Sequence, residues 1–150
     1  MEGVLLKKAL LALAVVAVLS FSATASAASP AAYKSQVNAI CAKGVAQLNA
    51  VPTPKTAAGI YPYFKKVAKV SDGLLVKVSK VTPPASVAGA VSKAVTAQGK
   101  FEVALDSLVA KLKTSSNPQQ TALAAQAHLT KLNNAANKVW IAAGLVKCGS

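Results

Sequence analysis

The sequence predicts an all-α protein folded as an up-down-up-down four-helix bundle, and three observations predict it. Apolar residues recur at three- and four-residue intervals through four successive segments. A capping side chain stands directly before proline at four places, the order of Ncap and N1 at a helix start. No segment alternates with period two for long enough to make a strand.

In chain order, Lys7 and Lys8 precede an apolar run over residues 9–19, followed by small residues that include Ala25-Ser26-Ala27. This pattern is a secretory signal peptide over residues 1–27, cleaved after Ala27. The run is well short of the roughly 20 residues a membrane-spanning helix needs. The first cysteine, Cys41, lies too far beyond the run for a lipobox, so no lipid anchor is expected. Residues 28–150 then form one domain, long enough to bury a core and too short to divide.

The helix starts are placed at Ser29-Pro30, Thr53-Pro54, Thr82-Pro83 and Asn117-Pro118. Gln120, three residues after Asn117, adds a variant of the capping box. Pro62 follows Gly59 closely and belongs either to a first turn or to a kink, so the second helix begins properly only near Tyr61. Each segment carries its own stripe. The first has Tyr33, Val37, Ile40, Cys41, Val45 and Leu48. The second, the clearest, has Ile60, Phe64, Val67, Ser71, Leu74, Val78 and Val81. The third runs from Val87, Val91 and Val95 through Gln98 and Phe101 to Leu105, Leu108 and Leu112. The fourth has Ala125, Leu129, Leu132, Ala136, Val139, Ala143 and Val146, with Gly144 as a C-cap. Short connections between long helices favour antiparallel neighbours.

Cys41 and Cys148 survive cleavage, and an even count in an exported chain favours a disulfide between them. With full-length helices, Cys148 lies level with the start of the first helix, while Cys41 lies about 18 Å of rise further along it. The tail after Gly144 therefore has to fold back, or the first helix has to sit low.

Candidates for catalysis are few. The acids after the leader are Asp72, Glu102 and Asp106, and the one histidine is His128. Glu102 and Asp106, one turn apart with Lys100 and Lys113 nearby, read as a solvated face with local ion pairing rather than an acid/base pair. His128, with no second histidine, reads as a surface or boundary residue rather than a metal ligand. There is no nucleophile motif and no Gly-rich phosphate loop, so no enzyme activity, cofactor or metal is expected. Asn133, Asn134 and Asn137, with Gln126 and Thr130, lie next to Trp140 and allow a polar patch with an aromatic platform for a sugar or other ligand. The favoured reading is an outward polar face with Trp140 at the edge of the core. Tyr61, Tyr63 and Phe64 are assigned to core packing.

Charge exceeds what a neutral globular domain needs. Of 17 basic residues, all lysine, Lys7 and Lys8 leave with the leader and 15 remain, against three acids. Such a surface attracts polyanions. Arginine and recognised DNA-binding motifs are absent, so no specific nucleic acid is expected. Anionic envelope polymers or a membrane surface are the expected partners, contacted through Lys65, Lys66, Lys69, Lys77 and Lys80 of the second helix.

The stretch from Tyr33 to Cys41, the Val51-Pro52-Thr53-Pro54 and Thr82-Pro83-Pro84-Ala85 breaks and the Gly144-Leu145-Val146-Lys147-Cys148 ending resemble a loose group of small exported helical proteins from actinobacteria. The resemblance spans nearly the whole mature chain, which departs from the group in being lysine-rich without arginine. It implies an exported compartment, a helical fold and paired cysteines, and it supplies no active site. The function expected is non-catalytic: a secreted or envelope-associated cationic bundle binding anionic envelope material. The alternative is a carrier that holds an apolar small molecule in the bundle interior.

Overall fold

The computed structural model describes residues 29–150; the expected signal peptide and its expected cleavage site lie outside the described residues. Among the described residues four α-helices make up the fold: α1 (Pro30–Asn49), α2 (Ile60–Ser79), α3 (Ala85–Thr114) and α4 (Pro118–Ala142). They pack in sequence, α1 on α2, α2 on α3 and α3 on α4, as an up-down-up-down bundle.

Two of the four starts are where the sequence places them. Ser29 Oγ accepts from the Ala32 amide at 3.1 Å, and Pro30 opens α1. Asn117 Oδ1 accepts from the Gln120 amide at 3.2 Å, and Pro118 opens α4. Only half of the expected capping box forms there, because the Asn117 amide donates to Ser115 Oγ and not to Gln120. The Thr53-Pro54 and Thr82-Pro83 starts are corrected, while the expectation that the second helix begins properly only near Tyr61 holds to within one residue. Residues 51–56 are not helical; a 3₁₀ turn at Ala57–Gly59 leads into α2, and Pro62 sits in the first turn, where its missing N–H costs nothing. Between Pro54 and Gly59 there is no large apolar side chain to bury, so nothing offsets the poor helix propensity of Thr56 and Gly59. At the third break Pro84 follows Pro83 and disfavours helical backbone there, which moves the start to Ala85 with Pro84 as the N-cap.

The core gathers Tyr33, Val37 and Cys41 of α1, Val78 of α2, Val91 and Ala94 of α3, and Ala136 and Trp140 of α4. Gly44 lets α1 approach α2 closely: a Cβ there would lie 2.7 Å from a methyl of Leu74. Tyr33 is fully buried, and its hydroxyl has no hydrogen-bond partner among the described residues.

The backbones of α1 and α4 stay apart, and the chain end closes the seam between them. Gly144 takes φ +77°, the left-handed conformation that glycine adopts without strain. The Gly144 amide donates to Ile141 O at 2.9 Å and the Leu145 amide to Trp140 O at 3.0 Å, the two bonds of a Schellman motif, with Leu145 fully buried in the Trp140 cluster. The chain then runs back along α1. Asn38 Nδ2 donates to Gly144 O, the Lys147 amide donates to Asn38 Oδ1 at 3.0 Å, and Cys148 reaches Cys41 in a disulfide with Cα atoms 4.9 Å apart. The reversal supplies the missing register. Val146, assigned to the fourth stripe, is therefore past the helix and half exposed.

Candidate functional site

Beside the disulfide the interior holds a cavity of about 250 Å³ walled by every helix and by the tail. From α1 come Val45 and Leu48, and from α2 Val67, Leu74 and Val78 with the hydroxyl-bearing Ser71. From α3 come Gln98 and Phe101, and from α4 Asn133, Asn137 and Trp140. The wall extends to Asn49 and Ser150, both exposed, so the cavity reaches the surface where α1 ends and the tail emerges.

Its polar wall rests on a carboxyl group that the sequence reading put in solvent. Glu102 is only 6% exposed, which corrects its assignment to a solvated face. Its position 102 lies between Gln98 and Leu105 on the inward face of α3, so helical spacing turns it into the bundle. Its partners are not ammonium groups. Ser71 Oγ and Gln98 Nε2 both donate to Glu102 Oε1 at 2.6 Å, and Trp140 Nε1 donates to Gln98 Oε1 at 3.3 Å. An indole N–H can only donate, so the Gln98 amide is fixed one way round. The chain of bonds ties α2, α3 and α4 together. Burial pushes the Glu102 carboxyl up from its ordinary value; the bonds from Ser71 and Gln98 act against that, and the neighbouring Asp72 and Asp106 add to it. Partial desolvation, with a contribution from Asp106, also raises Asp72, although its side chain stays largely exposed. Glu102 lies behind Gln98 and Ser71 and does not line the cavity, so it orients the wall and has no contact with an occupant.

The polar patch beside Trp140 is divided by the structure. Asn133 and Asn137 face the cavity half-buried, with Trp140 only 3% exposed, whereas Asn134, Gln126 and Thr130 are exposed on the outside. Trp140 is thus in the core and not at its edge. Among the described residues no side-chain hydrogen bond engages the Asn133 or Asn137 carboxamide, and no group of three or more metal-ligating side chains assembles. His128 is exposed on α4.

The four lysines of α2, Lys65, Lys66, Lys69 and Lys77, and Lys80 at its C-cap are all exposed. At 3.6 residues per turn they occupy an arc of about 120° and a length of about 22 Å. Asp72, also exposed, borders that arc. Lys65 Nζ lies 5.9 Å from the centroid of the Tyr61 ring, a cation–π contact, and Tyr63 meets Phe64 edge-on at 5.2 Å. All three aromatic residues are half-buried. Further exposed lysines lie on α1 (Lys43), α3 (Lys93, Lys100, Lys111, Lys113) and α4 (Lys131, Lys138).

Compared with protein families, with curated proteins and with solved structures, the chain has no match.

Proposed function

We propose that this chain is an exported, non-catalytic bundle that associates with anionic envelope polymers through diffuse charge. The observation that carries the reading is the exposed lysine arc of α2 backed by lysines on the other three helices. Lysine is a hydrated point charge without the planar fork that gives arginine geometric selectivity, so the surface discriminates little among polyanions. Lys69 and Lys77 are about 12 Å apart along the axis, beyond the roughly 8 Å Debye length at physiological salt, so the arc acts as two patches there and as one at low salt. Retention on heparin or teichoic-acid resin should be firm at low salt and fall steeply above physiological strength. Replacing Lys65, Lys66, Lys69 and Lys77 together with Gln should weaken retention in proportion to the charge removed. Failure of the wild type to be retained at low salt, or abolition by one substitution among neutral neighbours, would sink the reading. The resemblance to small exported actinobacterial proteins supports the same compartment.

A second reading, a small-molecule carrier, is favoured by the cavity lined by all four helices. Its polar wall makes the occupant amphipathic and not purely apolar.

A further inference from the structure

We infer that the interior cavity selects an uncharged molecule of one or two rings bearing an amide-like or hydroxyl group, which Asn133 and Asn137 read while Phe101 and Trp140 hold its rings. The inference deepens the carrier reading and rests on it. Size comes first: a dry cavity of about 150 Å³ accommodates benzene, so about 250 Å³ admits a ring with a substituent or two fused rings. Two aromatic side chains in the wall suit a flat partner by stacked or edge-on contact.

Charge decides the class. The chain carries 15 lysines after the leader, yet among the described residues no side chain that lines the cavity carries a charge. A carboxylate or ammonium entering it would shed its water and meet no charged side chain in the wall. Glu102, an ionisable group bonded to the polar wall from behind, has Oε1 already accepting from Ser71 and Gln98. What the wall does offer is two carboxamides not engaged by other side chains, each a donor and an acceptor. Leaving those groups facing an apolar occupant would forfeit hydrogen bonds that water otherwise supplies, so the favoured occupant brings a neutral polar group to them. Gln98, locked by Glu102 and Trp140, stiffens the wall between α3 and α4 and presents it ready-formed.

The test uses three probes that share a ring and differ in one group: benzamide, benzoate and benzylammonium. The oxidised protein is titrated with each and followed by ¹H–¹⁵N correlation spectra. Trp140 is the sole tryptophan, so its indole N–H is a single assigned reporter on the cavity wall. Benzamide should shift that resonance and the Asn133 and Asn137 carboxamide resonances saturably, with benzoate and benzylammonium binding there at least tenfold more weakly. Benzoate shifts confined to lysine-bearing surface and removed by salt agree with the inference. Either ion binding the cavity within threefold of benzamide overturns the selectivity and leaves the carrier reading standing. Absence of any saturable Trp140 shift with all three probes and with toluene overturns both. Asn137→Leu should weaken benzamide at least tenfold while toluene still binds, and Asn133→Leu provides the same test should the first variant fail to fold. Unchanged benzamide affinity in folded variants of both positions overturns the assignment of the reading groups.

Discussion

Removing the Cys41–Cys148 bond should be the largest single loss of stability available without touching an aliphatic core residue. The cysteines are 107 positions apart, so the bond closes nearly the whole domain into one loop. In the chain-entropy treatment a loop of that length lowers the entropy of the unfolded state enough to stabilise the fold by about 4.8 kcal/mol. A domain of this size is typically stable by about 5–15 kcal/mol, so the loss is between a third and nearly all of the total. Leu145 remains anchored through the Schellman motif, which leaves the reduced bundle a tail contact to retain. The expected outcome for Cys41→Ala/Cys148→Ala is a loss of about 4–5 kcal/mol and a melting temperature lower by about 15–20 °C. Urea denaturation of oxidised, reduced and alkylated, and doubly substituted protein measures it, with intact mass confirming the bond in the starting material. A loss under about 1 kcal/mol, or two free thiols in protein collected under oxidising conditions, would refute the reasoning.

Two further outcomes follow from buried polar groups. Tyr33→Phe removes a buried hydroxyl that lacks a partner among the described residues, and calorimetry should show stability unchanged or raised by about 1 kcal/mol; a loss above that would mean the hydroxyl is satisfied in solution. Burial holds the Glu102 carboxyl above its ordinary value of 4.5, so the folded state binds that proton more tightly than the unfolded chain. Its contribution is therefore greatest below that value and is lost as pH rises through the folded pKa. Asp72 acts with the same sign. Glu102→Gln keeps an acceptor for Ser71 and Gln98, so urea midpoints between pH 4 and 8 should show a flatter profile and greater stability at neutral pH. An unchanged slope would contradict the buried-carboxyl account.

Helix number and most inward positions were legible because apolar residues recur at helical spacing in every segment, most clearly in α2, and Ser29-Pro30 and Asn117-Pro118 are sufficient start signals. Thr53-Pro54 has the same signal and fails, because the residues after it carry no large apolar side chain to pack. The site was harder to read because its residues are polar. Asn133, Ala136, Asn137 and Trp140 follow the i, i+3, i+4, i+7 spacing of a buried face, but asparagine in two of those positions made the face look solvated. Glu102 was misread for the same reason. A signal was present: Ser71 and Gln98 already lay within apolar stripes, and Glu102 is one turn beyond Gln98. Polar side chains at inward positions of facing helices can satisfy one another, which a single-helix reading does not capture. The tail shows the converse, since helical rise alone required either a fold-back or a low α1, and Gly144 supplied the conformation for the first.

The chain-end clasp also fixes how the molecule bears load. Pulled from Ser29 and Ser150 while oxidised, only the 12 residues before Cys41 and the two after Cys148 can be drawn out, a contour of about 50 Å. The other three helices lie inside a covalent ring through which no tension passes. Reduction adds the 107-residue span to the extensible length, about 370 Å more, so a single thiol exchange turns a short tether into a chain several times longer than the folded domain.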